Sequence, residues 1–240
     1  MAKAFSEIDR LGGLRESVYR AIRRQISTGR LAPGAHLTEA FLAEALSVSR
    51  TPVREGLAAL AREGLLVREG RSYVVPTLTL EDIQEVYEMR CLLEPEAIRQ
   101  VCALLNASDL DDLRAAVIAH RTADHEKDAD AFRAANRRFR DGLFNRVRNS
   151  RLRKSIALYN DHMDFARVTL DDPMGRQVVL QNLDALMAVL GKRNSDAAAK
   201  IWERHVTASH DWVREWVRVQ SAFEEEPVSL SGSARSNRGQ

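Results

Sequence analysis

The chain has 240 residues, of which 45% are hydrophobic and 29% are charged, and its formal net charge is +2. This composition can fill one large or two ordinary cores and keep the protein soluble. No apolar run approaches the roughly 20 residues that a membrane-spanning helix needs, and the first residues lack the apolar segment of a signal peptide. We therefore expect a cytoplasmic protein with no membrane partner.

The first third of the chain predicts three helices and a hairpin. The first helix is indicated by apolar residues at a spacing of four, which are Leu14, Val18, Ile22 and Ile26. Ala-Pro-Gly at 32–34 follows it, Thr38 caps a short second helix, and a third amphipathic helix starts near Ser49. Residues 65–75 predict two short strands around a glycine-containing turn. Three helices followed by a hairpin form a winged helix-turn-helix.

The third predicted helix begins with hydroxyl groups and arginines instead of acidic residues. Ser49 is a favourable N-cap, and Pro52 is tolerated in the first turn. Arg50 and Arg54, however, place positive charge where the helix dipole is already positive, which disfavours the helix. Residues 1–77 also carry 12 Lys and Arg against 8 Asp and Glu, a net charge of +4. We interpret the helix start as a surface that binds an anion.

Residues after Pro76 are almost entirely helical in pattern up to about residue 220. The six predicted helices span about 80–105, 109–127, 129–148, 150–170, 176–191 and 195–220. The final residues, 223–240, are polar and rich in serine and glycine, and we expect them to be disordered. The chain is thus expected to be mainly α, with a winged helix-turn-helix at 1–77, an all-helical domain at 78–222 and this tail.

A resemblance to the GntR family of bacterial transcription regulators covers residues 29–75, GRLAPGAHLTEAFLAEALSVSRTPVREGLAALAREGLLVREGRSYVV. The shared features are a Pro-Gly turn, a Leu-x-Glu cap, Val-Ser-Arg-Thr-Pro-Val-Arg-Glu, a Glu-Gly-Leu hinge and a Gly-Arg wing. A looser resemblance to the FadR branch, which has an all-helical FCD effector domain, rests on EVYEMRCLLEPEAIRQVCA at 85–103 and IWERHVTASHDW at 201–212. A bundle of six helices instead of seven is similar to the VanR-like subgroup.

The resemblance implies a regulator that binds double-stranded operator DNA as a homodimer, with the third helix in the major groove. The residues that it places against DNA are Ser49, Arg50, Thr51, Arg54 and, at the tip of the wing, Arg71. The helix arginines can contact guanine edges or phosphates, and the hydroxyls can bond phosphates while one of them caps the helix. Arg71 is placed for the minor groove or the DNA backbone. The alternative is that these are solvated surface side chains.

Two residues depart from the family pattern in the DNA-binding domain. Ala40 stands where some relatives carry an additional arginine, so one DNA contact of the family is expected to be absent. Gly56 replaces the usual alanine of the third helix, at a cost of about 1 kcal/mol in helix propensity. The sequence gives no functional reason for this glycine.

The family's metal site is degenerate in this chain. In many FCD domains a divalent metal is held by an Asp or Asn, a His four residues later and two further His. Here Asn136 occupies the first position and Arg140 the second, the third falls near Leu183 or Asn182, and only His205 remains at the fourth. A guanidinium stays protonated and has no lone pair for a metal. We therefore expect no metal cofactor.

The same positions indicate a site for an organic acid. A buried arginine needs an anionic partner, which for Arg140 is either an internal carboxylate or the carboxylate of a ligand. The internal candidates are Glu94, Asp141 and Asp184. Arg90, in the family's Arg-x-x-Leu-Glu pattern, presents the same choice, and His205 is either a satisfied core histidine or part of the site. The expected effector site consists of Arg90, Asn136, Arg140 and His205.

The resemblance thus predicts a repressor that a small carboxylate metabolite releases from DNA. One alternative is a DNA-binding dimer whose bundle senses no ligand. Another is a helical-bundle metalloenzyme, but the sequence lacks paired Glu-x-x-His motifs, a glycine-rich phosphate loop and a nucleophile elbow. We therefore do not expect an enzyme.

Overall fold

A small three-stranded sheet and three helices form the N-terminal part of the structure. The computed structural model describes residues 13–166 and 173–224. The elements of this part, in chain order, are α1 (Leu14–Ser27), β1 (His36–Leu37), α2 (Glu39–Ala45), α3 (Arg50–Arg62), β2 (Val67–Glu69) and β3 (Ser72–Val74). The sheet has the order β1-β3-β2, and both pairs are antiparallel. The predicted helices and hairpin are confirmed, whereas β1 escapes prediction because two residues are too few to show an alternating pattern.

Core packing supports the prediction of α1, and a capping side chain supports that of α2. In α1, Val18, Ile22 and Ile26 are fully buried, as predicted, while Leu14 at its start is 40% exposed. In α2, the hydroxyl of Thr38 accepts a hydrogen bond from the N–H of Phe41 at 3.2 Å. This bond confirms Thr38 as the N-cap, because a side-chain oxygen there satisfies an otherwise unpaired donor of the first turn.

Gly56 lies in α3 at its contact with α1. A Cβ atom at this position would lie 3.1 Å from Cγ1 of Val18 and 3.3 Å from the backbone N of Tyr19. Both distances are shorter than the separation at which carbon atoms attract each other best. The glycine therefore lets the two helices pack closely, which is the structural reason for a residue that costs helix propensity.

Six helices form the C-terminal part. They are α4 (Leu80–Cys102), α5 (Ala107–His125), α6 (Ala129–Phe144), α7 (Ser150–Ala166), α8 (Pro173–Leu190) and α9 (Ser195–Glu224). They confirm the six predicted helices, although the predicted end of the fourth near residue 170 lies outside the described residues. Helix α9 extends two residues into the predicted tail of 223–240, and because residues 225–240 lie outside the described part, the disorder of this tail stays a prediction.

Each part has its own hydrophobic core. The N-terminal cluster draws its residues from Val18 to Val75, and the C-terminal cluster from Ile83 to Val213. Leu78 packs against both clusters, and Leu158 of α7 packs against the N-terminal one. The junction between the two parts is therefore formed in part by α7. Among the described helices, none is both long and apolar enough to cross a membrane.

Candidate functional site

The start of α3 presents four of the predicted DNA-binding residues to solvent. They are Ser49, Arg50, Thr51 and Arg54, and all four are exposed. Val53, which lies between them, is fully buried and fixes the helix to the core. Within the part of the chain that the structure describes, none of the four side chains is engaged in a hydrogen bond or ion pair. The arginines are therefore available to a partner outside the chain.

The N-cap of α3 agrees with the prediction in its position but not in its hydrogen bond. Ser49 occupies the N-cap position, with φ −69° and ψ 162°, but its side chain makes no capping hydrogen bond. The first turn also contains no acidic residue. Ser49 is therefore the N-cap residue as predicted, but the expected capping bond of its hydroxyl is not formed, and the backbone N–H groups of the first turn stay open to an anion.

The wing carries Arg71 at its tip. This residue is exposed and lies in the turn between β2 and β3. Two hydrogen bonds shape the turn. Nε of Arg68 donates to the carbonyl oxygen of Gly70 at 3.3 Å, and the hydroxyl of Ser72 donates to the carbonyl oxygen of Glu69 at 3.0 Å. Gly70 adopts φ 59°, a conformation that favours glycine. The structure thus presents Arg71 on a short, defined turn.

A cavity in the helical bundle contains all four predicted effector residues. Its volume is about 50 Å³, and its walls come from α4, α6, α8 and α9. The polar residues of its lining are Tyr87, Arg90, Asn136, Arg140, His205 and Ser209. A single water needs about 10–15 Å³ on the same scale, so the cavity suits a ligand group of a few atoms.

Glu94 is the internal partner of both cavity arginines. Nε of Arg90 and Nη2 of Arg140 each donate to Oε1 of Glu94 at 2.8 Å, and Nε1 of Trp202 donates to Oε2 at 2.7 Å. Burial alone would raise the pKa of this carboxyl group, but the charges of Arg140 and Arg90 outweigh it and lower the pKa to about 2. Glu94 is fully buried, so the cluster joins α4, α6 and α9 away from solvent.

The other candidate partners of Arg140 have different roles. Asp184 accepts from Arg121 at 2.5 Å on the bundle surface, and Asp141 is exposed. Arg140 also donates to Oδ1 of Asn160 on α7. Of the three internal carboxylates that the sequence left open for Arg140, the structure pairs it with Glu94.

The lining of the cavity is basic. Two guanidinium groups, of Arg90 and Arg140, face it, whereas no aspartate or glutamate of the described residues belongs to its lining. Glu94 lies behind them with no solvent exposure. An anion that enters the cavity therefore meets cationic donors without an opposing carboxylate at the surface.

Two families match the chain, one for each part of the structure. The FCD domain matches residues 85–208, and the gntR family of bacterial regulatory proteins matches residues 14–75. The first match alone covers more than half of the chain. The chain belongs to the GntR family of bacterial transcription regulators. It combines the GntR DNA-binding domain with an FCD domain, as the sequence predicts.

Several relatives match this GntR regulator over most of its length. The HTH-type transcriptional regulator YdhC of Bacillus subtilis (strain 168) is 27% identical over 199 residues, 80% of this chain and 87% of the relative. The HTH-type transcriptional repressor RspR of Escherichia coli (strain K12) is 26% identical over 204 residues, 83% and 89% of the two chains. The solved structure of E. coli McbR/YncC has the same fold, with a TM-score of 0.77 at 24% identity, and the match covers 86% of this chain and 100% of that one. The chain is thus a DNA-binding transcription regulator and not an enzyme.

The residues at the metal positions of FCD domains do not fit a metal in this GntR regulator. Arg140 offers only N–H donors and already pairs with Glu94. At the third position, Leu183 is a buried apolar residue, and Asn182, the alternative, donates through Nδ2 to the carbonyl of Val178 at 2.8 Å. His205 is buried, with its ring centroid 5.1 Å from that of Trp202. Among the described residues, no group of three or more His, Cys, Asp or Glu is placed to hold a metal ion. One imidazole and at most two amides lack the further imidazole, thiolate or carboxylate ligands of a tetrahedral or octahedral site.

Sequence reasoning missed two polar residues of the cavity and one buried histidine. Tyr87 lies three residues before Arg90, and Ser209 four residues after His205, so helical spacing alone could have placed both on the cavity side. His120 of α5 is fully buried, and its Nδ1 donates to the carbonyl of Ala116 at 2.8 Å. Burial lowers the pKa of His120, which keeps its ring neutral beside the aromatic ring of Phe132.

Proposed function

We propose that this regulator is a repressor that a small carboxylate releases from its operator, and that the carboxylate is held by arginine without a metal. The observation that carries the proposal is the convergence of Arg90, Asn136, Arg140 and His205 on one cavity. The protein acts as a homodimer in the cytoplasm on a pseudo-palindromic operator, since two copies of α3 read two half-sites one helical turn apart.

Recognition of DNA rests on the start of α3 and on the wing. Arg50 and Arg54 are exposed and can donate two parallel hydrogen bonds to guanine or to a phosphate. The open N–H groups of the first turn and the hydroxyls of Ser49 and Thr51 bind phosphates. Arg71 contacts the DNA backbone or the minor groove beside it. The repressor role is supported by RspR, which is named a transcriptional repressor.

In the proposed effector site, guanidinium groups supply the positive charge that a metal ion supplies in other FCD domains. An arginine stays charged when it is buried and presents a rigid fork of donors that matches a carboxylate. Arg140 and Arg90 supply this charge, while Asn136 and His205 offer further hydrogen bonds from the neighbouring walls. The volume of about 50 Å³ restricts the effector, or its inserted end, to a few atoms. A ligand that binds one arrangement of the bundle better than another shifts the population and thereby operator affinity.

The proposal is tested by a thermal-shift screen of acetate, lactate, pyruvate and malonate, followed by operator binding with the acid that raises Tm most. Ser209→Leu fills part of the cavity from a position that makes no bond to Glu94, and it should abolish both the Tm shift and operator release. Thr207→Leu is the matched control, because Thr207 is exposed on the same helix and lies outside the cavity lining. Equal acid responses of wild type and Ser209→Leu would refute this site.

A second candidate function is a DNA-binding dimer whose bundle senses no ligand. The observation that favours it is Glu94, which already supplies an anion to both cavity arginines. On this alternative the cluster only holds the bundle together, and none of the four acids raises Tm or releases the operator. The same screen therefore distinguishes the two functions.

A further inference from the structure

Three consecutive residues of α7 contact three different parts of the molecule. Oδ1 of Asn160 accepts a hydrogen bond from Nη2 of Arg140. Arg140 lines the bundle cavity that we propose for the effector, which we call the effector cavity. Asp161 accepts from Arg23 of α1 in an ion pair. Nε2 of His162 lies 3.0 Å from the carbonyl oxygen of Glu63, the C-cap residue that directly follows α3. We call residues 160–162 the docking turn.

Arg140 belongs to two cavities at once. Besides the effector cavity, it lines a second cavity of about 180 Å³ between α1, α6 and α7. Asn160 and Asp161 line this second cavity too. The Nη2 atom of Arg140 is shared between Glu94 inside the bundle and Asn160 at the junction. A movement of this guanidinium toward a ligand therefore changes a contact at the boundary between the two domains.

The docking turn touches the DNA-reading helix at the end opposite to its DNA-binding residues. Glu63 also accepts a hydrogen bond from the hydroxyl of Tyr19 at 2.7 Å, which ties α1 to the same point. A Cβ atom on Gly64 would lie 3.2 Å from Cε1 of His162, so the backbone there packs directly on the imidazole. Because an α-helix is a stiff rod, a displacement of this end also reorients the end that carries Arg50 and Arg54.

We propose that the docking turn transmits effector binding to the DNA-binding domain, and this inference rests on the proposed function. A carboxylate in the cavity competes for the N–H groups of Arg140, and the acceptor that yields is the neutral amide of Asn160, because bonds to charged acceptors are about twice as strong. Release of Asn160 loosens α7 at the residues that hold α1 and α3. The acid and the operator then weaken each other's binding by the same factor, as linkage requires.

The test is the ratio of operator Kd with and without the acid that raises Tm most in the thermal-shift screen. Wild type should show an increase of about tenfold, within the usual range of allosteric coupling. Asn160→Ala should still bind the acid with an affinity within about threefold of wild type, while its operator ratio falls below about 2. Asn145→Ala is the matched control, since Asn145 lines the same second cavity but its side chain makes no hydrogen bond to the described residues, and it should keep the wild-type ratio.

A second variant covers the case in which Asn160→Ala does not fold. His162→Gln alters the contact with the end of α3, outside the effector cavity, and it should lower the ratio while leaving acid affinity unchanged. If either folded variant shows the wild-type ratio of operator Kd with and without the acid, the docking turn does not transmit effector binding. The proposed effector site is unaffected by that result. Loss of acid binding in Asn160→Ala also overturns the role of the docking turn, because Asn160 would then belong to the ligand site. If wild type binds none of the acids, the proposed function fails and this inference fails with it.

Discussion

Arg140 and Glu94 lie on different helices of the bundle, and Nη2 of Arg140 donates to Oε1 of Glu94 at 2.8 Å. The side chain of Arg140 is 4% exposed and that of Glu94 is fully buried. The same guanidinium lines the cavity that we assign to the effector. An internal ion pair and a ligand contact are therefore compatible in one arginine, because its five N–H donors exceed what Glu94 can accept.

We expect Glu94→Gln to destabilise the protein strongly. The substitution keeps the shape and the acceptor for Trp202 but leaves the guanidinium groups of Arg90 and Arg140 buried without their shared counter-ion. Removal of one partner of a buried ion pair costs about 3–5 kcal/mol, which urea unfolding can measure. Glu96→Gln, two residues away on the solvent face, is the control and should change the unfolding free energy little. Similar stabilities of the two variants would show that the cluster does not hold the bundle.

The depressed pKa of Glu94 also predicts a pH dependence. Its pKa is about 2 in the folded protein against an ordinary value of 4.5, so the unfolded chain binds the proton first as the pH falls. The stabilisation by Glu94 is thus complete above about pH 4.5 and is lost progressively down to about pH 2. Over this window the difference in unfolding free energy between wild type and Glu94→Gln should shrink. A difference that stays constant from pH 6 to the lowest pH at which both fold would contradict the ion pair.

Arg50→Ala and Arg54→Ala should each weaken operator binding by about 1–3 kcal/mol and relax base preference, because both side chains are expected to reach the major groove. Arg62→Ala is the matched control, since Arg62 is exposed in the last turn of the same helix. Fluorescence anisotropy with operator and scrambled DNA at fixed salt gives both quantities. If the two variants bind as tightly as the control, α3 does not enter the groove with its N-terminal end.

The substitution Gly56→Ala changes stability in opposite directions through helix propensity and through packing, so its measured effect shows which of the two is larger. Propensity alone predicts a gain of about 1 kcal/mol, whereas the contacts of the new Cβ with Val18 and with the backbone of Tyr19 predict a loss of about 1–3 kcal/mol. Ala58→Gly in the same helix is the control, and it should lose about 1 kcal/mol through propensity. A stabilised Gly56→Ala variant, measured by thermal or urea unfolding, would show that α1 moves aside at little cost.

The helices and the hairpin were predictable because their signals are local. The spacing of Val18, Ile22 and Ile26 and the N-cap Thr38 are properties of single elements, and the structure confirms them. The role of Gly56 was not predictable, because its reason is a contact with another helix that no local pattern contains. The missing cap bond of Ser49 is similar, since residue type permits a cap but does not determine the side-chain conformation.

The effector cavity was predictable in part. The resemblance to FCD domains located Arg90, Asn136, Arg140 and His205, and the structure brings all four to one cavity. The sequence left three internal partners open for Arg140, because the choice depends on how helices from distant parts of the chain pack. Only the fold shows that Arg90, Arg140 and Trp202 share Glu94, and that Arg140 also donates to Asn160 of α7, the helix that contacts the DNA-binding domain through its next two residues.

The central claim is that arginine replaces the metal in binding the effector, and one measurement tests it most directly. Operator release by the acid is compared for wild type before and after dialysis against a chelator, and for Arg140→Lys, which keeps the charge opposite Glu94 but loses the fork of donors. Arg138→Lys, exposed on the same helix, is the control. We predict that chelation leaves release unchanged, and that Arg140→Lys folds and binds the operator yet is not released. Loss of release on chelation with recovery on added metal, or release of Arg140→Lys at the wild-type acid concentration, would contradict the claim.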